Sequence, residues 1–148
     1  MKNQEILEKF YSIRVFQEKG KVSLHKPVLL LYALAQCWDK RERLLTFDEM
    51  DKGFKKTFLT LNLDGNHDNS YYPFGKLEND GIWEITESKT LKRTSVGHLF
   101  KKELLDKNIT AGFTEEIYQT LLKDNHLLLT ISNHLLKNYF PTSQHDPL

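Results

Sequence analysis

The sequence predicts a mainly α (α+β) domain, a helical bundle carrying one small β-hairpin. Three observations lead there. Apolar residues recur at helical spacing near both ends of the chain, in Asn3–Glu18 and Asn125–Tyr139. Between them, Pro27–Lys40 (PVLLLYALAQCWDK) is apolar nearly all round, as a buried central helix is. From Tyr71 to Thr86 the texture changes to two short extended pieces around an Asn-Asp-Gly turn. At 148 residues, 39% of them hydrophobic, the chain is expected to fold as one domain over residues 1–148. It shows no solenoid repeat and no low-complexity linker.

The first helix is expected over Asn3–Glu18, with Ile6, Phe10, Ile13 and Phe16 on one stripe and Gly20 as its stop. Lys21–His25 reads as a loop. Pro27 fits a helix start, where its missing N–H costs nothing, and the helix runs to Lys40. Cys37 near its end reads as a small core filler. Leu44–Phe47 suits a short strand, and Asp48 suits the cap of a helix reaching Leu61. Asn62–Ser70 (NLDGNHDNS) is a turn-rich loop without an apolar anchor. After the hairpin, Ser95 is expected to cap a helix over Val96–Lys107. Thr114, followed by Glu115 and Glu116, is expected to cap another over Glu115–Lys123. The last helix covers Asn125–Tyr139 and stops at Pro141, before a polar tail from Thr142 to Leu148.

Composition narrows the function. A net charge of +1 gives no global basic footprint, although basic residues cluster locally, as at Lys19, Lys21 and Lys26, at Lys52, Lys55 and Lys56, and at Lys89, Lys92 and Arg93. Each cluster alone also reads as a solvated face. No apolar run reaches the roughly 20 residues of a membrane-spanning helix, and residues 1–8 do not read as a secretory signal. A single cysteine suits a reducing compartment, so a cytoplasmic location is expected. The six histidines show no paired metal-ligand spacing, and no phosphate loop, dinucleotide fingerprint or nucleophile elbow appears. No metal, cofactor or catalytic residue of the chain's own is therefore expected. One nuclease-like arrangement exists: Asp80 before Glu87 and Lys89, as in metal nucleases where two carboxylates hold Mg²⁺ and a lysine steadies water. The separation is short, Asp80 falls in the expected turn, and a charged hairpin end is the plainer reading. A protein-interaction domain with no nucleic-acid role is the other rival.

Two segments remain unusual. His25-Lys26-Pro27 places two basic groups at a helix N-terminus, where free N–H groups and the helix dipole favour an anion. Tyr72-Pro73-Phe74, between Ser70 and Lys76, reads either as a rigid core-facing turn or as part of a site, with Trp83 as a core anchor.

Three stretches carry a family resemblance: HKPVLLLYAL at 25–34, YPFGKLENDGIWE at 72–84, and LLKNYFPTS at 135–143. Together they resemble the sulfur-binding domain of phosphorothioate-dependent HNH restriction endonucleases, across about residues 20 to 143. The resemblance implies a non-enzymatic module for modification-dependent restriction, a bacterial defence. Its partner would be double-stranded DNA in which sulfur replaces one non-bridging phosphate oxygen. A nuclease domain would follow in cis; it is absent from this chain, which stops at Leu148 and so looks like an excised or stand-alone reading module.

By the same resemblance, Tyr72 and Pro73 form a shallow apolar sulfur pocket with Ser70 nearby. His25 and Lys26 hold the phosphorothioate by charge and N–H donation, and Arg93, with Lys92 behind it, supplies a further cation. Physics agrees with such a pocket. Sulfur is larger, more polarisable and a poorer acceptor than oxygen, so it loses less on leaving water. Two departures stand out. Lys26 occupies a place where the family often has arginine, giving a point charge without a bidentate fork. Where the family has a small apolar residue one turn beyond the Tyr-Pro pair, this chain offers Gly75 and Lys76, whose stem would line the pocket.

Overall fold

The computed structural model describes residues 2–18, 21–63 and 65–140. Helix α1 (Asn3–Tyr11) buries Ile6 and Phe10, but it ends well before Glu18. Ile13 is buried in the segment that follows, whereas Phe16 stays exposed. Two-residue strands β1 (Gln17–Glu18) and β2 (Lys21–Val22) then pair antiparallel. The expected stop at Gly20 lies outside the described residues.

Helix α2 (His25–Trp38) is the buried axis expected from its composition, with Val28, Leu29, Leu30, Ala33, Leu34 and Cys37 all buried. It begins two residues earlier than Pro27, so His25 and Lys26 belong to its first turn. Strand β3 (Leu45–Thr46) leads directly into α3 (Phe47–Thr60). The cap is Thr46, whose hydroxyl oxygen accepts from the Glu49 N–H at 3.2 Å; Asp48 sits in the first turn instead. Helix α2 packs against α3, against α4 (Tyr71–Lys76), and against the C-terminal pair α6 (Glu115–Lys123) and α7 (Asn125–Tyr139). Thr114 occupies the cap position of α6 through its carbonyl, which accepts from Tyr118. The Asp124 side chain caps α7 by accepting from Leu127. Pro141 and the tail lie outside the described residues.

The fold class is mainly α with a small sheet, but the sheet is not the expected hairpin. Tyr71–Lys76 is helical, a 3-10 turn over Leu77–Asp80 continues it, and Gly81 closes the turn at φ +76°. Only β4 (Trp83–Ile85) of the 71–86 segment is extended. It pairs antiparallel with β5 (Thr110–Phe113), whose other edge pairs with β3, giving the order β3-β5-β4. The Asn-Asp-Gly signal therefore marks a helix end, where a left-handed glycine is equally at home. The helix expected over Val96–Lys107 is also shorter, as α5 (Lys101–Asp106). Ser95 lies in a tight turn before it. Among the described residues, no helix is long and apolar enough to cross a membrane.

Candidate functional site

Helix α4 carries Tyr72, Pro73, Gly75 and Lys76, half of the site residues singled out by sequence, and its neighbours fix it in place. Ser70, just before it, is buried; its hydroxyl donates to Asp51 Oδ1 on α3 at 2.5 Å, and its carbonyl accepts from Phe74 N–H. Asp51 in turn pairs with Lys55 at 3.1 Å. Ser70 is thus consumed by structure, clamping the start of α4 to α3. Pro73 falls in the first turn, where an N–H has no intrahelical partner, and it is buried. Phe74 is in the core, edge-on to Phe47 with ring centres 5.1 Å apart. Its carbonyl accepts from Trp83 Nε1 at 2.9 Å, so the indole anchors α4 to β4. Gly75 is small for a reason: a Cβ there would sit 3.0 Å from Leu99 Cδ1.

Tyr72 faces outward. It is half-buried, and its ring meets His98 edge-on at 5.2 Å. Burial, and then the negative charge of Asp80, push its hydroxyl above the usual tyrosine range, so it is a neutral phenol at physiological pH. Lys76, also half-buried, lays its ammonium on the Val96 carbonyl at 2.9 Å. His98, one of the six histidines without metal-ligand spacing, is not a site residue by the sequence reading. Its place beside Tyr72 depends on the turn before α5, which carries no periodic signal.

The two basic residues at the start of α2 point to different sides. His25 Nε2 donates to the Asn66 carbonyl at 2.9 Å; a carbonyl can only accept, so this nitrogen carries the proton. Nδ1 then accepts from the Ser23 hydroxyl, also at 2.9 Å. The ring stacks on Phe54 at 5.7 Å and lies near Phe58. His25 is a latch holding the backbone at Asn66 to α2 and α3, with both nitrogens engaged.

Lys26 is turned inward. Its ammonium pairs with Asp80 Oδ2 at 2.7 Å, with the two side chains only 6% and 2% exposed. Asp80 Oδ1 accepts from the Arg14 N–H at 2.9 Å. One carboxylate therefore ties together the segment after α1, the start of α2 and the end of the 3-10 turn. This pairing sets the Lys26 ammonium, expected from the sequence to meet a ligand, against an internal carboxylate that neutralises it. It also removes the nuclease arrangement, since both oxygens of Asp80 are engaged by the protein while Glu87 is exposed. Among the described residues no group of three or more His, Cys, Asp or Glu side chains could hold a metal ion.

Arg93 lies against Ser88, near the 3-10 turn that follows α4. Its guanidinium donates to the Ser88 carbonyl at 2.8 Å and to the Ser88 hydroxyl at 2.9 Å, with Glu78 at 3.7 Å. It remains partly exposed. The segment around it is polarised: residues 88–102 contain five Lys or Arg (Lys89, Lys92, Arg93, Lys101, Lys102) and no Asp or Glu. So a half-open tyrosine on a braced short helix adjoins, through His98, a cation-rich segment, in which Arg93 has Glu78 nearby and Lys102 pairs with Asp106. That combination suits a polyanion whose backbone carries one unusually apolar atom.

Comparison with known proteins points the same way. A family model described as "ScoMcrA-like, DNA sulfur-binding domain" matches residues 3–148. Among solved structures, the sulfur-binding domain of ScoMcrA complexed with phosphorothioated DNA superposes with a TM-score of 0.82 at 24% identity, covering 90% of this chain and 86% of that one. The sulfur-binding domain of SprMcrA, also complexed with phosphorothioated DNA, gives 0.76 at 17% identity, with coverages of 95% and 86%. Against the Type IV phosphorothioation-dependent restriction endonuclease ScoMcrA the TM-score is 0.80 at 23% identity, and the match spans 29% of that longer chain. No match to a curated protein is found.

Proposed function

The chain belongs to the ScoMcrA-like DNA sulfur-binding domain family, and from that premise we propose that it binds double-stranded DNA carrying a backbone phosphorothioate. The observation that carries this reading is the outward ring of Tyr72 beside the cationic 88–102 strip. Sulfur seats against the phenol ring, with the stem of Lys76 as the next wall. Pro73 is buried, so it stiffens the site, and the face left open to a ligand is that of Tyr72. An ordinary phosphate oxygen, strongly hydrated, would lose its water there without gaining a donor. Arg93 contacts a neighbouring phosphate. His25, Lys26 and Ser70 serve the site from beneath, as the latch, the internal ion pair and the clamp just described. In the native setting the module delivers a separate nuclease activity to modified DNA; the binding step needs no cofactor.

A fluorescence titration of one duplex, with and without the sulfur, tests this directly. The modified duplex should bind more tightly by about 1–3 kcal/mol, the scale of one discriminating contact. Equal affinities at the same salt concentration would sink the proposal.

Charge and sulfur reading should separate experimentally. Arg93→Ala is expected to weaken modified and plain DNA alike, because a phosphate contact carries no information about sulfur. It should lower the slope of log affinity against log salt by about one unit. An unchanged slope would remove Arg93 from the interface.

A further inference from the structure

Val96 is 65% exposed, more than any other large apolar side chain among the described residues. It stands on a rigid support. The Thr94 N–H donates to the His98 carbonyl and the Gly97 N–H to the Thr94 carbonyl, both at 2.9 Å. The His98 N–H donates to Thr94 Oγ1 at 3.0 Å, and Arg93 and Leu99 form an antiparallel bridge across the base. Gly97 takes φ +84°, as the left-handed residue of a three-residue hairpin loop must. From the other side, Lys76 Nζ grips the Val96 carbonyl itself. The turn therefore pays little ordering entropy when it meets a surface.

Resting on the phosphorothioate reading above, we propose that this turn reads sequence: Val96 packs against the C5 methyl of a thymine in the major groove beside the modified phosphate. The surroundings favour DNA over a protein partner. Cores of protein interfaces are poor in charge, yet Val96 lies in the cation-rich 88–102 strip. It is flanked by the small polar residues Thr94 and Ser95, and tied through His98 and Lys76 to the sulfur site. The major groove admits a two-stranded ribbon, and the thymine methyl is the apolar group that its floor offers. The minor groove offers none. A β-branched side chain, stiff at χ1, presents a fixed pair of methyls to such a target.

The test is selection from a pool of phosphorothioate duplexes randomised on both sides of the modified step, run with the wild type and with Val96→Ser. Thermal midpoints of both proteins confirm that each is folded. The wild type should enrich thymine at one position, and Val96→Ser should lose that enrichment while still preferring sulfur over oxygen. Replacing that thymine by uracil deletes only the methyl. It should weaken the wild type about fourfold, the effect of one methyl leaving contact, and leave Val96→Ser unaffected. Identical base preferences in the two proteins, or uracil bound as tightly as thymine, would overturn the proposal. If the wild type takes modified and plain pools equally, the sulfur reading fails and this inference with it. A sulfur preference with unchanged base preferences removes this inference alone.

Discussion

Tyr72→Ala is expected to collapse the preference for sulfur, bringing the affinity for phosphorothioate duplex down to that for plain DNA, a loss of about 1–3 kcal/mol. Affinity for plain DNA should hardly move, because Arg93, Lys92 and Lys89 remain in place. The ring is half-open and meets His98 only by its edge, so its removal leaves no large internal void. Tyr72→Phe should keep most of the preference, because in the proposed reading the contact to sulfur is made by the ring and not by the hydroxyl, which burial keeps a neutral phenol. Both affinities and the thermal midpoint should be measured on one preparation. If both affinities fell together with a large loss of melting temperature, Tyr72 would be a core residue and not a reader. A folded Tyr72→Ala protein that still prefers sulfur as strongly as the wild type would refute the assignment.

The largest stability effect is expected at Asp80. Asp80→Ala strands the Lys26 ammonium in a site where it is 6% exposed, and it also frees the Arg14 N–H. Breaking a buried pair by removing one partner costs about 3–5 kcal/mol. For a domain of this size that lowers the melting temperature by on the order of 10 °C. Replacing both partners, as in Lys26→Met with Asp80→Leu, should recover most of the loss, since no uncompensated charge remains. The double variant also assigns Lys26. Its DNA affinity should keep the wild-type salt slope, because the ammonium faces Asp80 and not the duplex. A slope lower by about one unit would return Lys26 to the phosphate contacts.

The legible parts of the fold were those written in long periodic segments. Helices α2, α6 and α7 lie within about two residues of their expected bounds, the margin usual for such boundaries, because their signals are local: an apolar run after Pro27 in α2, the acidic first turn of α6, and the apolar stripe of α7 after the Asp124 cap. The Tyr71–Thr86 segment reads as a hairpin for a physical reason. Six residues do not complete two turns, so α4 shows no period, while its aromatics, proline and glycine all resemble strand and turn chemistry. The site residues were named through family resemblance, yet their division of labour was not visible. Lys26 and Asp80 are 54 positions apart, and nothing in either neighbourhood announces that they meet. His98 joins the site only through the geometry of the 94–98 turn. The Ser95 signal was a true turn signal attached to the wrong structure, since Ser and Thr favour helix caps and tight turns alike.

The shortness of α4 has a consequence for how recognition depends on folding. Six residues lie far below the length at which an isolated helix outweighs its nucleation penalty. Helix α4 therefore owes its existence to the Ser70 clamp, the Trp83 anchor and the Lys26–Asp80 pair. A peptide spanning Tyr71 to Lys76 would be a coil with no affinity of its own. Recognition is then a cooperative property of the whole domain, lost as a unit with global unfolding. By mass action, a duplex that binds only the folded form raises the melting temperature as its concentration exceeds Kd. Thermal shift thus becomes a label-free titration, and its amplitude in any core variant reports how much of the binding-competent population survives.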